Sequence, residues 1–363
     1  MNTPVLNDYH LSLGARIGEV RGSSAVRDYG DPGREHDALR TGAGVLDLGF
    51  RGRLCLTGAD RVRFLHGQVT NDIQSLRAGR GCYAALVTSK GKMESDLSVY
   101  CLAGELLLDF EPGLSEFIAR RLERYIVADD VQVVDVAPLY GLLSVQGPRS
   151  ESVLQSLRLG GALPARAFEF VQPPASAFGE LYVMIRARLG SVGFDLFVPA
   201  ENLAATAASL VEAVKSAGGC PCGWDAFETV RVEAGIPRFG QDMDETNIPL
   251  ECGIEAIAVS YSKGCYIGQE VLNRIHSIGH VTRELRGLRF SPEPPELPAR
   301  GQKLYQSERE AGYVTSAVHS PALGCVVALG YVRRESGGIG ATLAMRTASG
   351  ETEARVVELP FAV

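Results

Sequence analysis

Short apolar runs bounded by glycine, proline and acidic residues dominate the first part of the chain, and such runs predict strands. Residues 44–48, 53–58, 83–88, 97–102 and 106–110 read this way, as do 131–136 and 139–145. Ser89-Lys90-Gly91-Lys92 joins two of them as a hairpin with glycine in the turn. Helical spacing appears between the strands. Asp60 can cap a short helix through Val62, Phe64 and Leu65, and Ser115 opens another with the face Ile118, Leu122, Tyr125 and Ile126. Residues 1–40, with Gly-Asp-Pro-Gly at 30–33, predict polar loop.

Gln146-Gly147-Pro148 punctuates the chain, and a helix is predicted at 150–158. Strands at 181–186 and 194–198 flank the turn 190–193. A helix at 202–216 buries Leu203, Ala207, Leu210, Val211 and Val214, and one at 224–234 ends on Gly235. Meander strands with interspersed helices predict an antiparallel α+β arrangement rather than a repeating βαβ sheet. After His280 the pattern changes to short strands at 285–290, 303–306, 312–320, 325–332, 342–346 and 354–359. These predict a separate small β-barrel or sandwich. The chain therefore reads as an α+β region over 1–280 and a barrel domain over 281–363.

Length and composition narrow the class. At 363 residues the chain can hold two or three domains and bury a substantial core. Its 45% apolar and 22% charged residues are ordinary for a soluble globular protein. A net charge of -7 argues against a dominant nucleic-acid or anionic-membrane surface. No apolar run approaches the roughly 18 residues of a membrane span. Met1 to Val20 lacks a basic stretch followed by an apolar run, which predicts no secretory signal. Eight cysteines without secretion read as reduced thiols of a cytoplasmic protein. The nearest metal-like grouping, Cys220-Pro221-Cys222 with Cys252 and Cys265, matches no zinc spacing and reads as scattered core cysteines.

The chain has no P-loop, no dinucleotide glycine fingerprint, no zinc helix and no nucleophile elbow. Three polar clusters remain: Asn71-Asp72 with Tyr83 and Asp96; Asp195 after a glycine turn; and Glu228, Arg231 and Glu233 on one helix. The first could be turn formers or hydrogen-bonders for a polar heterocycle. Arg231 could be a surface ion pair worth little, or a fixed guanidinium gripping a carboxylate. One further stretch stands out, Lys263-Gly264-Cys265-Tyr266-Ile267-Gly268-Gln269-Glu270. Its glycines let the backbone bend. A helical pattern follows through Val271, Leu272 and Ile275, which would set Cys265 just before a helix N-terminus and beside a lysine. Both neighbours favour a thiolate. The alternative is a tight turn with a buried, inert cysteine.

Taken in order, several stretches resemble the glycine-cleavage T-protein, an aminomethyltransferase. They are Val45-Leu46-Asp47-Leu48, Gln68-Val69-Thr70-Asn71-Asp72, Gly91 through Tyr100, Leu143-Ser144-Val145-Gln146-Gly147-Pro148, Gly193-Phe194-Asp195-Leu196-Phe197 and Arg231-Val232-Glu233-Ala234-Gly235-Ile236-Pro237. The barrel adds Gly312-Tyr313-Val314-Thr315-Ser316, Ser320-Pro321-Ala322-Leu323-Gly324 and Ala328-Leu329-Gly330-Tyr331-Val332. Within that superfamily the octet from Lys263 to Glu270 resembles the YgfZ/Iba57 branch. The resemblance implies a three-lobed ring of two interleaved α+β lobes and a C-terminal β-barrel around a central tetrahydrofolate pocket.

By position, the resemblance implies that Asp96 falls in the segment of the catalytic aspartate, although Glu94-Ser95-Asp96 stands where two adjacent aspartates are usual. Asp195 replaces a pterin-binding glutamate, one methylene longer. Arg231 matches an arginine near the folate, Tyr83 a pocket tyrosine, and Phe239 a tyrosine whose stacking face it keeps. Asn71 joins this folate-binding set. The octet implies a folate-binding factor for assembly or repair of iron–sulfur clusters, with Cys265 as the working thiol and Lys263 lowering its pKa. Its partners would be iron–sulfur client enzymes, in bacteria a tRNA-modifying methylthiotransferase. The alternative is a tetrahydrofolate-dependent aminomethyltransferase or related demethylase, in which Asp96 holds the substrate amine or polarises the folate during C–N cleavage. A non-catalytic scaffold is a third reading.

Overall fold

The computed structural model describes residues 6–174, 178–347 and 350–362. Two compact units share the chain. The first runs to Gln68 and takes in Asp72–Tyr83 and Leu97–Val230; the second is Val69–Asn71, Ala84–Asp96 and Arg231 onward.

Strands buried along their whole length build the first unit. Gly193–Pro199 and Leu106–Phe110 have no exposed residue, which an apolar run covered on both faces requires. One sheet has the order Phe170–Val171, Tyr182–Ile185, Gly193–Pro199, Tyr140–Gln146, Gly44–Asp47 and Cys220–Pro221. Its pairs are antiparallel except the last, where Cys220–Pro221 runs parallel to Gly44–Asp47. A second sheet has the order Arg80–Val87, Met93–Cys101, Leu106–Phe110, Gly52–Thr57 and Gln132–Asp135. The far end of its first hairpin, Ala84–Asp96, is counted with the second unit. The helix Leu203–Ser216 buries Leu203, Thr206, Ala207, Leu210, Val211 and Val214, the face that its spacing predicts. The helix Trp224–Glu233 stops before Gly235, whose φ of +68° suits a residue without Cβ.

The amino-terminal stretch departs from its reading as loop. It holds the helix Asn7–Ser12, the hairpin Arg16–Val20 with Ser23–Asp28, and the helix Pro32–Thr41. Polar contacts to distant residues hold these elements. His10 is buried between the Asp47 carboxylate at 3.0 Å and the Tyr29 hydroxyl at 2.8 Å. Asp31 accepts from the Arg34 amide and Pro32 supplies the first helical residue, a capping arrangement without an apolar stripe. Residues 1–5 lie outside the described residues.

The second unit contains a closed six-stranded barrel in the order Arg283–Phe290, Cys325–Arg333, Arg309–Ser320, Lys303–Gln306, Thr342–Thr347 and Gly350–Val357. Alternate residues such as Leu288, Phe290, Leu343, Met345, Ala354 and Val356 fill its interior. The register of Arg309–Ser320 against Cys325–Arg333 slips between Val314 and Ser316, a bulge centred on Thr315. The bulge re-aims neighbouring side chains, so the hydroxyls of Thr315 and Ser316 both reach the same carboxylate, Asp242.

Candidate functional site

In the first unit, the stretch 186–188 links Tyr83 and Asp195, with Arg186 over the Tyr83 ring and Arg188 on the Asp195 carboxylate. Asp195 sits mid-strand in Gly193–Pro199, and the turn before that strand carries Arg186 and Arg188. Arg188 Nε donates to Asp195 Oδ1 at 3.1 Å and Oδ2 at 2.9 Å, and its Nη2 donates to Asp109 Oδ2 at 2.7 Å. Arg51 grips the other side of Asp109 at 2.8 Å and also pairs with Glu111. Ser144 donates to Asp195 Oδ1 at 2.8 Å, and Gln146 bridges Ser144 Oγ and the Arg186 carbonyl. Asp195 is therefore fully buried and held by its own chain.

Charges this deep are tolerated only in such a lattice. Burial by itself would raise the Asp109 carboxyl, but Arg188 and Arg51 outweigh it and hold it below the usual carboxylate range. Burial pushes the Tyr100 phenol up, with Asp195 adding to the push.

Above this lattice lies an aromatic face. The Arg186 guanidinium carbon is 4.8 Å from the Phe168 ring centre and 5.5 Å from that of Tyr83. Tyr100 packs edge-on to Phe170 and Phe197. The Tyr100 hydroxyl and Arg186 Nε are buried with no hydrogen-bond partner among the described residues. Flat walls, a guanidinium and orphaned polar atoms suit a polar heterocycle. Tyr100, Phe168, Arg186 and Arg188 were not singled out from the sequence. The Arg-x-Arg pair ahead of the glycine turn was the available signal.

In the second unit, Asn71 and Lys263 come together. Lys263 Nζ donates to the carbonyls of Val69 at 2.7 Å and Asn71 at 2.8 Å, and lies 4.8 Å from the Tyr266 ring centre. Asn71 Nδ2 donates to the Ile257 carbonyl, and Thr70 Oγ1 to that of Ala258. Lys263 thus binds the backbone of residues 69–71. Cys265 is exposed, and the helix that follows is Gln269–Ile278 with Gly268 as its N-cap, so the thiol lies in the preceding loop rather than at the helix start. Gly268 has φ +86°, and a Cβ there would meet the Thr88 carbonyl at 2.5 Å, which makes this glycine obligatory. Asp96 is half-buried on Met93–Cys101.

Arg231 is neither a surface ion pair nor a cation facing solvent. It pairs with Asp242 and donates to Ser316 Oγ at 2.6 Å and the Ile236 carbonyl at 3.3 Å. Of the two sequence alternatives, the fixed guanidinium gripping a carboxylate holds, and that carboxylate is Asp242 of the same chain. Phe239 is buried and bridges to Met243 within the same turn. Among the described residues no group of three or more His, Cys, Asp or Glu side chains could hold a metal ion, and no helix is long and apolar enough to cross a membrane.

A family model for the GCVT N-terminal domain matches residues 6–263, and one for the glycine cleavage T-protein C-terminal barrel domain matches residues 283–362. The chain is 31% identical over 361 residues to an aminomethyltransferase of Rubrobacter xylanophilus, across 99% of this chain and 93% of the relative. It is 29% identical over 361 residues to an aminomethyltransferase of Halalkalibacterium halodurans, across 99% and 97%. The solved structure of the glycine cleavage system aminomethyltransferase T from Bartonella henselae superposes with a TM-score of 0.88 at 23% identity, across 99% of this chain and 97% of that one, a likeness of fold. These relatives overturn the expectation of an iron–sulfur assembly or repair factor with iron–sulfur and tRNA-modifying clients, since full-length matches carry the transferase name.

Proposed function

The chain belongs to the glycine cleavage T-protein family, and from that premise we propose that it is a tetrahydrofolate-dependent aminomethyltransferase. The observation that carries the reading is similarity to aminomethyltransferases along 99% of the chain. The folate would bind the region 1–280, and Ser316 of the barrel region 281–363 helps to fix Arg231. Tetrahydrofolate, when bound, supplies the nitrogens that take up the one-carbon unit as ammonia leaves.

This chain's own residues have separate tasks. Tyr83, Phe168 and Arg186 offer ring faces and a guanidinium for a flat heterocycle, and the orphaned Tyr100 hydroxyl supports that fit. Asp195 acts through Arg188, which it holds in place. The half-buried Asp96 carboxylate is the group to pair with a protonated substrate amine and steady its charge. Arg231, Phe239, Asn71 and Lys263 position backbone rather than touch substrate, because their side chains are committed within the chain or packed in it.

The octet from Lys263 to Glu270 has the YgfZ-type pattern and marks a subgroup within the family. A reducing, cytoplasmic setting belongs to the proposal on the strength of eight free thiols. The test is turnover: aminomethyl-loaded lipoyl carrier protein and tetrahydrofolate are supplied, and methylene-tetrahydrofolate and ammonia are measured. Their stoichiometric appearance is the expected result. Absence of both, with a folded protein that binds tetrahydrofolate, would sink the proposal.

A further inference from the structure

After the helix Leu203–Ser216 the chain turns through Gly218 and Gly219 into the two-residue edge strand Cys220–Pro221, and Cys222 continues it, its amide donating to the Val45 carbonyl at 2.8 Å. In an extended chain, side chains two apart point to the same face. Cys220 and Cys222 obey this rule, and their sulfurs stand 3.9 Å apart. Pro221 between them fixes φ, so the pair is held with little freedom.

The two thiols differ in surroundings. Cys222 is 1% exposed, with its sulfur 3.5 Å from the Glu35 carbonyl and 3.4 Å from that of Cys220. Cys220 lines a cavity of about 210 Å³ whose wall also includes Tyr29, Asp31, Arg34 and Lys215. Asp31 and Arg34 are exposed, so the cavity meets solvent there. The Glu35 carboxylate, which accepts from the Gly223 and Tyr29 amides, and Asp31 both oppose a charge on Cys220, while Arg34 favours it; Lys215, paired with Glu212, lines the same cavity. The bond from Cys222 draws the Cys220 thiol below its ordinary pKa, against its burial and with help from Arg34. Burial pushes the Cys222 thiol well up. Cys220 is itself only 6% exposed, so what sets it apart is its place on the cavity wall, in front of the more deeply buried Cys222. A thiol at a cavity backed by a buried one is the division of labour between an attacking and a resolving cysteine.

We propose that Cys220 and Cys222 are a thiol–disulfide exchange pair, in which Cys220 takes up a carboxylate-bearing low-molecular-weight disulfide from the cavity and Cys222 resolves the adduct. The Cys220 thiolate attacks one sulfur of the small disulfide. A Cys220–small-thiol bond forms, the small S–S bond breaks, and the first small thiolate leaves and takes a proton. Cys222 then loses its proton to water and attacks Cys220 Sγ. The mixed disulfide breaks, the second small thiolate leaves, and a Cys220–Cys222 disulfide remains. Two protein thiols are oxidised and one small disulfide is reduced to two thiols. The sulfurs must close from 3.9 Å to about 2.05 Å.

Oxidised glutathione is the probe. The reduced full-length chain is incubated with it at neutral pH, quenched by alkylation, and each cysteine peptide is quantified by mass spectrometry. The wild-type chain is expected to yield the Cys220–Cys222 disulfide. Cys222→Ser is expected to accumulate the glutathione adduct on Cys220, at least about tenfold faster than on buried Cys55. Arg34→Gln should slow that adduct relative to exposed Cys265 in the same chain. Should Cys222→Ser fail to fold, the native wild-type chain still decides: Cys220 should alkylate faster than Cys55, and anionic iodoacetate should favour it over Cys265 more than neutral iodoacetamide does. Equal labelling of Cys220 and Cys55, or no adduct on Cys220 in folded Cys222→Ser, would overturn the proposal.

Discussion

Arg231 and Asp242 form an ion pair in which neither side chain is more than 2% exposed. The Thr315 bulge supplies two hydroxyls to the same carboxylate, at 2.6 and 2.7 Å. Such a pair costs desolvation to form, but breaking it strands a buried charge. Asp242→Ala is expected to destabilise the chain by about 3–5 kcal/mol, measured as a lower urea midpoint at unchanged slope. Ser316→Ala should cost about 1 kcal/mol. A smaller loss for Asp242→Ala than for Ser316→Ala would show that the pair is not what holds this corner.

Asp109 predicts acid sensitivity. Its folded-state carboxyl lies below the usual value because Arg188 and Arg51 outweigh burial. The unfolded chain therefore binds a proton at a higher pH than the folded one. The stabilisation is fully present above the unfolded carboxyl value of about 4 and is lost as pH falls through the folded value. Urea unfolding between about pH 5 and about pH 3 should show stability falling with acid, and Asp109→Asn should flatten that slope. An unchanged slope in the variant would remove Asp109 as the cause.

The aromatic face makes a separate claim. Arg186→Ala and Tyr83→Ala are each expected to weaken tetrahydrofolate binding about tenfold, the scale of a lost cation–π contact and ring wall. Calorimetry reads this directly. Binding equal to wild type in both variants would move the heterocycle elsewhere.

Asp96 and Cys265 separate the transferase from the reading that the octet suggested. Asp96→Asn should lower kcat for aminomethyl transfer about a hundredfold or more while the protein still binds folate. Cys265→Ala should stay within about threefold of wild type. A collapse of turnover in Cys265→Ala with Asp96→Asn active would reverse the assignment.

The barrel and most strands were legible in the sequence because burial writes itself as apolar runs. Leu203, Ala207, Leu210, Val211 and Val214 are buried as their spacing predicts. What the pattern could not convey is where polar groups end. Nothing local distinguishes Arg231 facing a ligand from Arg231 clasping Asp242, since the decision is made by a bulge at Thr315, far along the chain. The same holds for Lys263, read as an activator of Cys265 and found on the carbonyls of Val69 and Asn71. The amino-terminal elements escaped notice because their core residues, such as Leu6, Val20, Ala25 and Leu39, stand among polar residues whose buried contacts are to distant parts of the chain.

The second unit draws on three separate stretches of chain, and this bears on how the protein must be made. Val69–Asn71 and Ala84–Asp96 leave the ribosome long before Arg231 does. Thr70 and Asn71 wait for the carbonyls of Ala258 and Ile257, and Met93 waits for that of Asn247. Until then these early segments carry unmatched donors, and closing such long loops is slow. A fragment beginning at Arg231 would lack them altogether, so truncation at that boundary removes part of the unit it is meant to isolate.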